Sequence, residues 1–380
     1  MERCLMRSLR VSDPLDRAKG IAPRVTELAD TIDRDRQLPA ELIHAMRDAG
    51  LFRLLIPRAY GGEEMDWVEY LDVVRSIAYA DGSAGWCLNQ GAVYATTACR
   101  APRSIAKAIW GDENTIVANG PPQGTTSEEV SGGYLLNGNW MFSSGCRHAN
   151  WIAALSVGSG QRPRLHLLPK EEVKFEDVWQ VQGLRGTGSF SFSARDHFVP
   201  EDRAFFIDVQ PFESGALYLI PQALLFACGF GCVALGVARA GIDAAIEVAS
   251  EKTARDDRKT RSDNSVVQSQ IGKAEAGWRA AKALLHETVS SVWDDVKNSG
   301  EITVQNRILL RMAGTHAIRE SARVVDISYN ACGSTAIFSD QKIQRRFQDA
   351  HVITQQIQGR EAHYETVGQY FLGDEPRGIY

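Results

Sequence analysis

Apolar residues at Val267, Ile271, Ala274, Trp278, Ala281 and Leu285 recur at alternating intervals of four and three. That is the inward stripe of a helix packed in a bundle, and it demands partner helices. Ile318, Ala322 and Val325 extend the theme to another long helix, and a further one is expected from about Gln341 to Leu372, with a break at Gly359. Residues 234–249 are rich in Ala and Gly, which lets helices approach closely within the bundle or between subunits. A C-terminal four-helix bundle is therefore placed at 207–380.

The start of the chain is helical as well. Ile21, Val25, Leu28, Ala29 and Ile32 share one face; a second helix is predicted over Ala40–Ala49, ended by Gly50. Helical periodicity resumes from Trp67 to about Ala80 and from Ala84 to about Ile109, giving an N-terminal helical domain at 1–113. Between these regions the texture changes. Tyr134–Phe142 sets Asn137-Gly138 between two β-prone runs, which predicts a hairpin. Trp151–Val157 and Arg164–Leu168 read as strands, and Ser189–Ser193 alternates Ser with Phe, so one sheet face is aromatic. A small β-barrel domain is expected at 114–206, and the fold class is α+β, mainly α.

Several functions are disfavoured. A net charge of −5 leaves no surplus of Lys and Arg for a phosphate backbone, so nucleic acid is not expected as the main partner. The seven cysteines are scattered, odd in number and lack CxxC spacing, a pattern of reduced thiols. Cys228 and Cys232 share a helical face but are read as packing, and no metal site is expected. No apolar run reads as long enough to span a bilayer and Met1–Arg10 lacks the apolar core of a secretory signal, so the cytoplasm is expected, with no membrane partner. Gly229–Ala234 satisfies GxGxxA with Glu251 downstream, yet Ala-rich helical periodicity runs straight through it. Helix packing, not a dinucleotide site, is the reading there.

Three motifs carry more information. Gly50–Gly62 reads GLFRLLIPRAYGG, Asn139–Trp151 reads NWMFSSGCRHANW, and Trp179–Pro200 reads WQVQGLRGTGSFSFSARDHFVP. In this order they resemble the acyl-CoA dehydrogenase superfamily: its connector, the Trp-rich strand leading to a Ser/Thr beside the flavin, and the strand closing the β domain. Dehydrogenases of that superfamily commonly carry Tyr-Glu-Gly some eight residues after Arg-Asp-Ala. Here Phe347–His351 is followed by Gln355-Gln356-Ile357-Gln358-Gly359, with no carboxylate. Leu224–Ala238 supplies neither an acid nor the arginine that accompanies acyl-CoA binding. The run RRFQDAH instead resembles the Arg-x-Phe-Arg-Asp-x-His pattern of the group D flavin monooxygenases, which include hydroxyphenylacetate, steroid-phenol and indole-type oxygenases.

That resemblance implies a homotetrameric oxygenase that takes reduced flavin, FADH2 or FMNH2, from a separate NAD(P)H-flavin reductase. It implies capture of molecular oxygen as the C4a-hydroperoxide and hydroxylation of a small aromatic, phenolic or indolic. His351 would be the acid–base group, because an imidazole titrates near neutrality; a helix histidine capping a carbonyl or packed in the bundle is the alternative. Ser144 would meet flavin N5, with Ser143 as the alternative because the register before Trp151 is ambiguous; either also suits a plain turn. His148 would help order that loop. Trp86, in a helix start capped by Asp81 or Ser83, would lie near substrate, with Asn89, Gln90 and Tyr94 where relatives often carry a histidine. Asn119 and Gly120 would edge the isoalloxazine, and Arg255, Arg258, Lys259 and Arg261 would meet its phosphates or form a solvated loop. Two rivals stay open: an acyl-CoA dehydrogenase-type flavoprotein with an unrecognised base, and a non-enzymatic helical scaffold without flavin.

Overall fold

The structure, a computed structural model, describes residues 12–158, 160, 162–251 and 261–380. Helix α1 (Pro14–Asp35) begins where Asp13 Oδ1 accepts from Leu15 N at 2.8 Å and Pro14 presets the first turn. After α2 (Ala40–Asp48), Gly50 at φ +72 turns the chain into two short 3₁₀ turns, Leu51–Arg53 and Arg58–Tyr60. Arg53 pins this connector: its buried guanidinium donates to the carbonyls of Tyr60, Gly61, Trp110 and Asp112. Helices α3 (Trp67–Ala80) and α4 (Gly82–Ala95) follow, capped by Asp66 and Asp81. The stretch expected to stay helical to Ile109 is interrupted. Thr96–Arg100 tightens to 3₁₀, and Pro102 holds Ala101 in extended geometry, so α5 (Arg103–Trp110) is a separate helix.

Eight strands come next: β1 (Val117–Asn119), β2 (Pro122–Val130), β3 (Gly133–Ser143), β4 (Trp151–Ser156), β5 (Arg164–Pro169), β6 (Phe175–Glu176), β7 (Phe190–Pro200) and β8 (Ala204–Phe206). They form two four-stranded sheets in the orders β1-β4-β5-β8 and β2-β3-β7-β6. The pair β1–β4 is parallel and the other pairs are antiparallel. Trp140 stacks on Phe192 at 5.0 Å, so the Phe side of the alternating run faces inward. The hairpin expected at Asn137-Gly138 is absent. Strand β3 runs straight through those residues, and the turn lies earlier, at Ser131-Gly132, where Gly132 adopts φ +79 and Val130 pairs with Gly133. Asn137-Gly138 is instead a bulge: the register slips against both neighbours, and Gly138 at φ +146 lies against Thr125. The Asn-Gly pair supplies the unusual backbone that a bulge needs as readily as one that a turn needs.

After a short turn of helix, α6 (Ala216–Leu219), the bundle consists of α7 (Gln222–Glu251), α8 (Ser265–Ser299), α9 (Val304–Cys332) and α10 (Lys342–Gln355), with α11 (Ala362–Phe371) at the end. Val267, Ala274, Trp278, Ala281 and Leu285 are buried as their spacing requires, and the break near Gly359 is a 3₁₀ turn, Ile357–Gly359. The GxGxxA run sits midway along α7 with helix on either side. One expectation needs correcting. Helix α7 is long and apolar enough to cross a membrane, with a mean hydropathy of 1.9 over its most apolar stretch. Since 83% of that stretch is buried, α7 is the central core helix, packed against α3, α4, α8, α9 and α10.

Candidate active site

The site is built where the start of α4 meets the end of β3 and the turn before β7. Asp81 caps α4 through Ala84 N at 2.9 Å, which fixes the helix that carries Trp86. The Trp86 ring stacks on Phe230 of α7 at 3.9 Å, and Phe226 stacks on Phe230 at 5.6 Å. The indole N–H of Trp86 donates to Ser144 Oγ at 3.1 Å. Ser144 Oγ lies 2.7 Å from Ser189 Oγ, which lies 2.7 Å from Thr187 Oγ1, and Thr187 donates to the Leu184 carbonyl at 2.8 Å.

This row has a direction. The carbonyl at one end only accepts and the indole at the other only donates. Thr187 therefore points its proton at Leu184, Ser189 must donate to Thr187, and Ser144 must donate to Ser189. Ser144 keeps one acceptor position free of that row and has no proton to offer elsewhere. Ser144 is placed by Gly145, whose φ of +80 brings its N–H to the Thr187 carbonyl at 2.9 Å and leaves room for the His148 ring. Burial holds the His148 imidazole down to about 3, so it is a neutral packing group against Phe52 and Gly145.

Asp349 of α10, not singled out from the sequence, joins the two halves of this site. It is 2% exposed, and its Oδ1 accepts from Leu184 N at 2.6 Å, holding the left-handed Leu184 (φ +49) that begins the turn. Its Oδ2 packs on Gly82 in the first turn of α4, where a Cβ would come within 2.8 Å. Burial, then the neighbouring Asp81, pushes the Asp349 carboxyl up to about 7; burial also pushes up Asp81.

Gln90 and Asn119 come together: the Gln90 amide donates to Asn119 Oδ1 at 2.6 Å, one helical turn along from Trp86. Gly120 is pressed on the Met141 carbonyl, which a Cβ would approach to 2.5 Å. Asn89 accepts from the Tyr70 hydroxyl at 3.0 Å and packs on Gly229. Tyr94 is not brought to this group. It lies in a separate core cluster with Ile56, Trp110 and Val117, and burial pushes its phenol up. Ser143 Oγ is buried without a hydrogen-bond partner among the described residues. Phe142, also unforeseen, adopts φ +52 and is 55% exposed beside Trp179.

His351 does not join Ser144 and Trp86. Its side chain is 45% exposed, its Nε2 lies 2.9 Å from Asp326 Oδ1 on α9, and its ring packs on Phe347. It lines an open polar cavity with His316, Arg319, Arg323 and Tyr364. The reason is helical geometry: two residues on from the inward Asp349, a side chain points about 200° away. Arg255, Arg258 and Lys259 lie outside the described residues. Arg261 donates to the Ala331 carbonyl at 2.9 Å, at the end of α9.

The Gln355–Gly359 stretch holds an amide where a carboxylate was sought. Gln358 is buried, its Oε1 accepts from Arg311 Nη1, and its carbonyl accepts from Thr315 at 3.2 Å.

Residues 18–100 match the family model "Acyl-CoA dehydrogenase, N-terminal domain" and residues 228–360 match "Acyl-CoA dehydrogenase, C-terminal domain". The chain is similar to an indole-3-acetate monooxygenase of Pseudomonas putida, 31% identical with 90% of each chain covered. It is also similar to the oxygenase subunit of a flavin-dependent monooxygenase of Rhodococcus jostii, 27% identical over 89% of this chain and 92% of that one. Among solved structures, a 3-HSA hydroxylase of Rhodococcus superposes with a TM-score of 0.89 at 25% identity, over 97% of this chain and 98% of that one. The chain belongs to the acyl-CoA dehydrogenase family, in the branch that holds these monooxygenases.

Proposed function

We propose that, within that family, this chain is the oxygenase component of a two-component flavin monooxygenase. It takes FADH2 or FMNH2 from a separate NAD(P)H-flavin reductase and, with molecular oxygen, hydroxylates a small aromatic. The observation that carries this reading is the ordered hydroxyl row. Its Ser144 end can accept a hydrogen bond but has no proton to give. N5 of a reduced flavin bears a hydrogen and is a donor, whereas N5 of an oxidised flavin needs one. The row therefore suits the reduced form.

The remaining residues fit the same group. The exposed Phe142 face, the unpartnered Ser143 hydroxyl and the edge formed by Asn119 and Gly120 would hold a flat, polar-edged ring, with Arg261 toward its phosphates. When bound, the reduced flavin supplies two electrons, so that one atom of molecular oxygen enters the aromatic and the other leaves as water. Trp86, Phe226 and Phe230 provide the stacked apolar wall that keeps bulk water from that chemistry. A dehydrogenase would need a carboxylate base, and Gln358 offers an amide engaged by Arg311. In this reading His351 is an outer-face residue paired with Asp326. Assembly as a homotetramer is supported by the exposed Ile337, Phe338, Phe371 and Leu372, apolar surface that a subunit interface would cover.

The test is a reaction of the chain with reductase-generated flavin, a panel of phenols and indoles, and isotopically labelled oxygen gas. Label in an aromatic product is expected. Hydrogen peroxide alone, with every aromatic recovered unchanged, would overturn the reading.

A further inference from the structure

The hydroxyl row does not end at Leu184. The Leu184 carbonyl accepts from Thr187 Oγ1 at 2.8 Å and from Trp179 Nε1 at 3.1 Å, while the Leu184 N–H donates to Asp349 Oδ1 at 2.6 Å. The other carboxyl oxygen of Asp349 lies against Gly82, the first residue of the helix that carries Trp86. Trp86 in turn donates to Ser144 at the far end of the row. The contacts therefore close on themselves: from Asp349 through Leu184, Thr187 and Ser189 to Ser144, then through Trp86 and one turn back along α4 to Asp349. This closed path has no slack. A Cβ on Gly183 would meet the Gln348 carbonyl oxygen at 2.3 Å, and one on Gly186 would come within 2.1 Å of Ile32 and 2.9 Å of Ser83. The turn is wedged between α10, α1 and the start of α4, so a displacement of Asp349 is passed on to the row.

Two carboxyl groups stand at this junction. Asp81 caps α4, Asp349 abuts the residue after it, and both are buried. Two carboxylates sealed together cannot both ionise without relief, because each charge lacks water and faces the other. The charges around them are few. From α10, Arg345 is paired with Asp30, while Arg346 donates from Nη2 to the Ala80 carbonyl at 2.8 Å and keeps a buried Nη1 without a partner among the described residues. From α1, Asp33 is turned to Arg185 of the Leu184 turn at 3.4 Å; on α4, burial pushes the Cys87 thiol up, so it stays neutral. Burial and the neighbouring Asp81 push the Asp349 carboxyl up to about 7, so its proton leaves near neutrality. A second negative charge then stands beside Asp81. It is eased by separation of the two groups, by entry of water, or by the idle Arg346 Nη1 drawing the carboxylate aside. Each of these pulls on the Leu184 bond or on the contact with Gly82.

Resting on the monooxygenase reading above, we infer that Asp349 is a positioning residue for oxygen transfer: it acts on Ser144 through Leu184, Thr187 and Ser189, and its protonated form keeps the row closed. Oxygen transfer to the aromatic is therefore most efficient at mildly acid pH and gives way to hydrogen peroxide as pH rises past neutrality. In the failing branch the two electrons of the reduced flavin and both atoms of molecular oxygen leave together as hydrogen peroxide. The flavin returns oxidised, and the aromatic is untouched.

The experiment follows the Trp86 indole N–H by nuclear magnetic resonance in the full chain carrying isotopically labelled tryptophan, without flavin or turnover, from about pH 5.5 to about pH 8.5. The resonance is assigned by its absence in Trp86→Phe. Product formed per oxygen consumed is measured over the same range with reductase-generated flavin. The Trp86 signal is expected to shift along a titration curve with a midpoint of about 7. Product per oxygen should fall about threefold or more along the same curve. Asp349→Asn keeps an oxygen for the Leu184 N–H and has no proton to lose, so it should flatten both curves. Asp81→Asn keeps the helix cap and removes the opposing charge; both midpoints should move to lower pH, a displacement that a merely structural Asp349 would not produce. A pH response that survives Asp349→Asn, midpoints unmoved in Asp81→Asn, or product per oxygen that stays level while Trp86 titrates would overturn the inference. Oxygenated product with a Trp86 signal indifferent to pH would remove this inference alone. No oxygenated aromatic at any pH, in a chain whose Trp86 titrates, would remove the monooxygenase reading and this inference with it.

Discussion

Asp349 and His351 stand two residues apart on α10, and their surroundings differ in every respect that matters for chemistry. Asp349 is sealed in, holds Leu184 and abuts Gly82, and so touches both the turn that carries Thr187 and the helix that carries Trp86. His351 faces outward to Asp326 across a polar, open cavity. A helix can commit only one of two such neighbours to a given site. Here the residue of ordinary catalytic repute is on the outer face, and a carboxylate that touches no reacting group in the described structure organises the inner one.

Removing Asp349 should have the largest effect. Asp349→Ala leaves the buried Leu184 N–H without an acceptor and opens space at Gly82, and is expected to destabilise the fold by about 2–4 kcal/mol. Thermal unfolding measures this. An unchanged midpoint would remove the distinction between the two faces. Ser144→Ala leaves the buried Trp86 N–H and Ser189 without their shared partner, costing about 1–3 kcal/mol of stability, less than Asp349→Ala, and its main effect is on product. The yield of oxygenated product per flavin consumed is expected to fall about tenfold or more, with hydrogen peroxide in its place, measured by product and peroxide assays run together.

The third expectation concerns pH. The Asp349 carboxyl is raised to about 7 in the folded chain, above the ordinary carboxylate value, so its stabilising contribution is full at acid pH and is lost as pH rises toward 7. Asp81, raised by burial as well, works in the same sense. Asp349→Asn keeps an oxygen for Leu184 and should flatten the pH dependence of stability across about pH 4–7. A profile identical to that of the unaltered chain would contradict this. The smallest effect is expected at the outer face: His351→Ala removes a half-exposed hydrogen bond to Asp326, about 1 kcal/mol or less by denaturant unfolding.

The bundle could be read from the chain because its stripe is long and regular, as Trp278, Ala281 and Leu285 show. The connector and the Ser143-Ser144-Gly145 loop were legible because each needs particular residues, a double glycine or a glycine at positive φ, at fixed spacing. Other features were not legible, for identifiable reasons. An Asn-Gly pair serves a bulge or a turn, and only cross-strand register, a long-range property, decides between them. The break before α5 follows from Pro102, a signal present but outweighed by periodicity on both sides. Ser189 and Thr187 lay within a quoted motif, but the row they complete, through the hydrogen bond of Ser189 to Ser144, depends on how two distant segments meet. The pairing of Arg311 with Gln358 across 47 positions of sequence has no local mark at all. The motif around His351 states which residues are near in sequence, and only the fold shows that Asp349 is buried while His351 is half-exposed beside Asp326.

In the proposed reaction the Trp86–Ser144 row, not the outer face of α10, controls oxygen transfer. The measurement that tests it is the fraction of consumed oxygen recovered in the aromatic product, determined side by side for the unaltered chain, Ser144→Ala and His351→Ala. A high fraction for the unaltered chain and His351→Ala, with collapse in Ser144→Ala, is predicted. Collapse in His351→Ala with Ser144→Ala unaffected would contradict it.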